Sequence, residues 1–120
     1  MIVGFDIDGT ITKHPKFFSF LTSALIEKGH KVIIITSRDD KVLTEKDLKE
    51  CGIVYAELIV ADYSTTEDLD QWKAKVCQEK DVEIYFEDDL DVLKLLGNEV
   101  VSFIPAYQQS HTKTDFQWFR

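Results

Sequence analysis

The stretch Ile2-Val3-Gly4-Phe5-Asp6-Ile7-Asp8-Gly9-Thr10 decides how this chain is read. An apolar run containing β-branched residues ends on two carboxylates one residue apart, and a glycine and a threonine follow at once. The pattern is that of a buried strand whose chain turns sharply at its carboxyl end, with Asp6 and Asp8 projecting from the sheet edge. Two such anions repel. At ~4 Å and an effective dielectric near 20 the cost is about 4 kcal/mol, which a divalent cation or a shared proton relieves.

Four further apolar runs, Lys31 to Ile35, Ala56 to Ala61, Val82 to Phe86 and Val100 to Ile104, also read as buried strands. Helical spacing fills the gaps between them. The first helix starts near Pro15 and lays Phe18, Leu21 and Leu25 on the sheet, with Phe17 and Ala24 as further candidates for that face. The second runs roughly from Asp40 to Glu50, the third from about Thr66 to Glu79 with Leu69, Trp72 and Val76 inward, and the fourth from Leu90 to Leu96. Gly29 and Gly52 stand where left-handed caps would close the first two helices. Strands alternating with helices give a parallel sheet covered on both faces, so the fold class is α/β, a three-layer sandwich on a five-stranded parallel sheet. Ligands of such folds collect at the carboxyl ends of the strands.

A length of 120 residues and a hydrophobic content of 44% suit one core. A core domain over residues 1–106 and a tail over 107–120 are expected, the tail marked by a change of composition. Its Phe116, Trp118 and Phe119 would either pack on their own domain or dock at a subunit interface of a homo-oligomer. The net charge of −8 and a pI near 4.8 repel polyanions, and no basic patch interrupts that field. Nucleic acid and acidic membrane surfaces are therefore not expected partners. Cys51 and Cys77 match neither a zinc site nor a redox pair. With no ~20-residue apolar span and no signal-peptide pattern, a cytoplasmic protein is expected.

The second strand ends in Thr36-Ser37-Arg38 and the fourth in Glu87-Asp88-Asp89. Hard oxygen donors at this density suit magnesium, although acids at 87–89 would also favour the positive end of the helix that follows. Lys73 and Lys75 lie on the third helix, where a lysine is ordinarily a solvated surface residue.

In this order the residues resemble the four motifs of the haloacid dehalogenase (HAD) superfamily of phosphohydrolases. Val3 to Thr10 match an apolar strand entering D-x-D-G-T, and Thr36 matches the Ser or Thr that closes the next strand. Lys73, favoured over Lys75 by its distance from the acidic pair, matches the lysine on the helix before strand four. Glu87-Asp88 match the acidic pair, with Asp89 as an extra candidate.

The resemblance implies a Rossmann-like, HAD-like domain that hydrolyses phosphomonoesters with magnesium. Asp6 would be the nucleophile and Asp8 the acid and base. Asp6, Asp88 and Glu87 would hold the metal, together with Asp8 through its backbone carbonyl and with Asp89 as an alternative to Glu87. Thr36, Ser37 and Lys73 would hold the phosphoryl oxygens. The family's cap domain has no room in either usual gap, so a small capless member is expected. Its substrate would be a small phosphorylated metabolite such as a nucleotide or sugar phosphate, with Arg38 and His14 flanking the pocket. Two other readings exist: a receiver-like phosphoacceptor, whose aspartate after strand three would be Asp62, and a catalytically silent binding protein on the same fold.

Overall fold

The computed structural model describes residues 1–105; the tail with Phe116, Trp118 and Phe119 lies outside the described residues. Five strands form one wholly parallel sheet: β1 (Ile2–Phe5), β2 (Lys31–Thr36), β3 (Glu57–Val60), β4 (Ile84–Phe86) and β5 (Val101–Phe103). Their spatial order is β3-β2-β1-β4-β5. The chain thus builds one way from β1, then crosses back to continue from the other side of β1. The order reverses between β1 and β4, and the crevice at a reversal is where α/β sheets bind ligands.

The helices α1 (Pro15–Glu27), α2 (Lys41–Glu50), α3 (Leu69–Glu79) and α4 (Leu90–Leu93) cover the sheet, and a single 3-10 turn, Ile11–Lys13, precedes α1. Successive side chains of a strand face opposite ways. In β2, Val32 and Ile34 join Phe18 of α1 and Leu48 of α2 in one core, while Ile33 and Ile35 join Val76 and Cys77 of α3 and Val92 of α4 in the other. This double burial is why β2 is apolar from Val32 to Ile35 rather than alternating. Cys77 is a buried free thiol and Cys51 a half-buried one.

Three expectations need correction. Phe17 is 51% exposed, because Phe18 and Thr22 occupy the inward stripe of α1. Strand β5 is not buried: Val101 and Phe103 are 55% and 48% exposed. A run of apolar residues reads alike at the centre and at the edge of a sheet, and β5 has a neighbour on one side only. Helix α4 ends at Leu93, after which the N–H groups of Leu95 and Leu96 reach back only to Val92 and Leu93 in tight turns.

Local chemistry fixes the helix ends. Asp40, Asp68 and Asp89 are the N-caps of α2, α3 and α4, each accepting from N–H groups of the first turn; Asp68 thereby starts α3 three residues later than Thr66. Gly29 and Gly52 adopt left-handed backbone with φ of 87° and 72° and close α1 and α2. After α3 the same position is held by Asp81, with φ of 55°. A side chain there costs strain that glycine does not. Asp81→Gly should therefore raise stability by about 0.5–1 kcal/mol, read as a higher urea midpoint at an unchanged slope; a lower midpoint would contradict this account.

Candidate active site

Asp6 follows β1 directly, and its N–H donates to the carbonyl of Phe86 at the end of β4 (2.9 Å), which pins the two strand ends together. Gly9, with φ of 83°, turns the chain back beside Asp88. A Cβ on Gly9 would stand 2.1 Å from Asp88 Oδ2, so only glycine lets that carboxylate lie over the D-x-D turn. From the opposite layer, α3 sends Lys73 inward along the same stripe as Trp72, Val76 and Cys77. Lys73 Nζ donates to Asp6 Oδ1 at 2.6 Å and to Glu87 Oε1 at 2.9 Å, with all three residues buried.

The remaining lone pairs of this buried group have donors as well. The Thr10 hydroxyl donates to Asp6 Oδ2 at 3.1 Å, and the Tyr85 hydroxyl to Glu87 Oε1 at 3.0 Å. The N–H groups of Asp88 and Asp89 donate to Glu87 Oε2 at 3.1 and 3.3 Å. Burial raises the Asp6 pKa to about 8, with Glu87 adding to the rise and Lys73 opposing it. Burial raises Glu87 too. For Lys73 burial pulls the other way, but the two carboxylates outweigh it and leave the pKa above the ordinary value.

Asp8 has a different environment only two residues away. Its carboxylate is half-exposed and clasped by Arg38, Nε to Oδ2 at 2.9 Å and Nη2 to Oδ1 at 2.8 Å. That bidentate pairing holds the Asp8 pKa below the usual carboxylate range. Arg38 Nη1 in turn reaches Asp47 Oδ2 on α2 at 2.8 Å.

A cleft of about 520 Å³ opens above these groups, lined by Asp6, Asp8, Ser37, Lys73, Asp88 and Asp89 among others. Thr36 is buried, and its hydroxyl accepts the N–H of Arg38; Ser37 faces the cleft. Lys75 lies outside, exposed and paired with Glu79. Asp62 is at the surface of the β3–α3 connection, accepting from Ser64. His14 lines a neighbouring groove rather than the cleft. Asp89 also belongs to a surface group of acids with Asp70 and Asp91. Thr10, Tyr85 and Asp47 were not singled out from sequence: Thr10 carries a signal through its place in D-x-D-G-T, whereas a core tyrosine and a helix-surface aspartate carry none.

Carboxylate oxygens of Asp6, Glu87 and Asp88 lie within 4.8 Å of one another, a spacing and chemistry that fit a hard divalent cation. Glu87 already satisfies Lys73, Tyr85 and two N–H groups, so the acids with most freedom to bind a metal are Asp6 and Asp88.

No family model matches the sequence, and no curated protein matches it either. Solved structures do. A chain of the Pnkp1/Rnl/Hen1 RNA repair complex superposes with a TM-score of 0.74 at 20% identity, covering 88% of this chain and 42% of that one. The cobalt-bound deoxy-D-mannose-octulosonate 8-phosphate phosphatase of Haemophilus influenzae gives 0.53 at 15% identity, covering 86% and 67%. The shared fold is a Rossmann-like, HAD-like α/β sandwich on a parallel five-stranded sheet. A hypothetical protein from Xanthomonas campestris shares it, with a TM-score of 0.56 at 21% identity over 91% of this chain and 65% of that one. The chain spans less than half the length of the RNA repair chain. No described helix is long and apolar enough to cross a membrane.

Lys73 is the only cation bonded to Asp6 and Glu87 among the described residues. Lys73→Met should cost about 3–5 kcal/mol at neutral pH, because it strands two buried carboxylates. An acid whose folded pKa is raised binds its proton more tightly in the folded state, so the loss should be largest near pH 8–9 and shrink towards pH 5. Thermal unfolding across that range checks it; a pH-independent loss would contradict the pairing.

Proposed function

We propose that the protein is a magnesium-dependent phosphomonoester hydrolase that forms an aspartyl phosphate on Asp6. The observation that carries this reading is the buried Asp6–Lys73–Glu87 set at the reversal between β1 and β4, with Asp88 beside it and Asp8 at the cleft. The HAD fold and the acidic cluster support hydrolysis of the HAD type. Residues 6–14 join β1 to α1 and residues 61–68 join β3 to α3, and neither link holds an inserted domain. That supports a capless form. The acidic balance favours a small substrate over a nucleic acid.

In the first step an Asp6 oxygen attacks phosphorus, the Asp6–phosphorus bond forms as the bond to the leaving oxygen breaks, and Asp8 gives that oxygen its proton. In the second, water attacks phosphorus and yields its proton to Asp8 as the Asp6–phosphorus bond breaks. Lys73, held in register by Glu87, offsets the negative charge that Asp6 and the phosphoryl oxygens bring together. Thr36 ends β2 and Ser37 follows it into the cleft, Ser37 as a direct donor to the phosphoryl group and Thr36 through the Arg38 N–H that its hydroxyl accepts. Magnesium bound by Asp6 and Asp88, with the Asp8 carbonyl, would supply positive charge that favours ionised Asp6 and offsets its repulsion from the phosphate dianion.

The resting site has the opposite bias to the one that attack requires: Asp6 is held up by burial and Asp8 held down by Arg38. Phosphoryl oxygens compete with Asp8 for the Arg38 fork, and an Asp8 released from it can carry the proton for the leaving group.

Phosphate release from p-nitrophenyl phosphate should fall to background in excess chelator and return with added magnesium; undiminished release in chelator would refute the metal requirement. Asp6→Asn should abolish turnover, a loss on the order of 10⁶ in rate for a covalent nucleophile. Asp8→Asn should give a burst of nitrophenol near one equivalent followed by slow turnover, because an activated aryl leaving group needs little proton help whereas the water step still lacks its base. Peptide mapping should place the phosphate on Asp6. Label on Asp62 would instead favour the receiver-like reading.

A further inference from the structure

The organic half of the substrate must leave the cleft in some direction, and the charges around the cleft restrict that direction. Asp8, Asp88 and Asp89 line it, and an anionic or strongly polar group pressed against them would be repelled or left with its water stripped. Ile104 forms an apolar part of the wall. The same Ile104 lines a second depression, a groove of about 440 Å³ between the first turn of α1 and the ends of β4 and β5. The two spaces therefore border one another at this side chain.

The groove is aromatic. Phe17, Phe18, Phe86 and Phe103 line it with Ile104, and His14 supplies its polar rim. Among the described residues no carboxylate belongs to its lining. Phe5, Phe86 and Phe103 already form a stack across β1, β4 and β5, with centroids 5.0 and 5.1 Å apart and planes within 6° and 17° of parallel. Phe18 meets Phe86 edge-on at 5.6 Å. Among the described residues the stack ends at Phe103, which is 48% exposed, and Phe17 across the groove is 51% exposed. Two large rings left half in water beside a catalytic cleft offer a π face to whatever the cleft admits.

We propose that this groove is the leaving-group subsite and takes the nucleobase of a nucleoside 5′-monophosphate while the phosphoryl group lies over Asp6. A flat, neutral, aromatic group extends the stack and avoids the acids, whereas a bare sugar does neither. The proposal rests on the hydrolase reading for the position of the phosphoryl group.

Adenosine 5′-monophosphate and ribose 5-phosphate share a primary alcohol leaving group and differ in the base, so their comparison isolates the groove. The nucleotide should be preferred in kcat/KM by on the order of tenfold to a hundredfold, chiefly through KM, the range that base–aromatic stacking supplies. Phe103→Ala and Phe17→Ala should bring the ratio towards one while ribose 5-phosphate turnover stays as it was, and Phe103→Tyr should keep the preference. Binding titrations of the two compounds to Asp6→Asn protein read the groove without turnover. Base-dependent binding with no phosphate release from any ester would overturn hydrolysis and keep the groove. Release or binding that ignores the base would overturn the groove and keep hydrolysis. A Phe103→Ala protein that changes mass in light scattering with the substrate ratio unmoved would give the groove to a second copy of the chain, and overturns the proposal as well.

Discussion

The structure depends on one buried cation. Taking an ammonium and two carboxylates out of water costs several kcal/mol per ion, and a pairing of this kind persists only where geometry is close and every remaining lone pair is answered. Both conditions hold around Lys73, since Thr10 completes Asp6 while Tyr85 and the backbone of residues 88 and 89 complete Glu87. The result ties the end of β1, the end of β4 and the middle of α3 to a single point. Those three elements meet there because the strand order reverses between β1 and β4 and α3 carries the chain across.

That point also separates two carboxylates that the sequence places one residue apart. Asp6 is buried against Lys73, and Asp8 is half-exposed in the fork of Arg38, so their proton affinities are pushed in opposite directions by desolvation in one case and by a charge-assisted hydrogen bond in the other. Divergent environments for neighbouring acids are the usual physical basis for dividing an acid–base task between them. The glycine at position 9 serves the same arrangement sterically, since any side chain there would meet the Asp88 carboxylate.

What the sequence made legible was whatever is encoded locally. D-x-D-G-T is continuous, and strand periodicity with glycine caps gave the parallel sheet and the closure of α1 and α2. Lys73 was favoured over Lys75 by its distance from the acidic pair alone; that it shares the inward stripe of α3 with Trp72 and Val76, while Lys75 pairs with Glu79 at the surface, came only with the structure. What was not legible depends on partners far apart in the chain. Arg38 finds Asp8 and Asp47 only after β1, β2 and α2 are assembled, and Tyr85 reads as an ordinary core aromatic until its hydroxyl meets Glu87. The exposure of β5 is likewise a property of its place in the sheet rather than of its residues.

The sheet order has a consequence for the chain as it is synthesised. Strands β1, β2 and β3 can pair as soon as residue 60 has emerged, but β1 keeps one backbone edge open until β4 arrives at residues 84–86. During that interval the nascent chain exposes the open edge of a strand carrying Val3 and Phe5, a template for intermolecular pairing. Asp6, at the end of that strand, is then an ordinary solvated acid, because its buried partners are not yet in place. The arrival of β4 that covers this edge also brings Glu87 to Lys73 and Asp6, so closing the sheet and assembling the buried triad share one step.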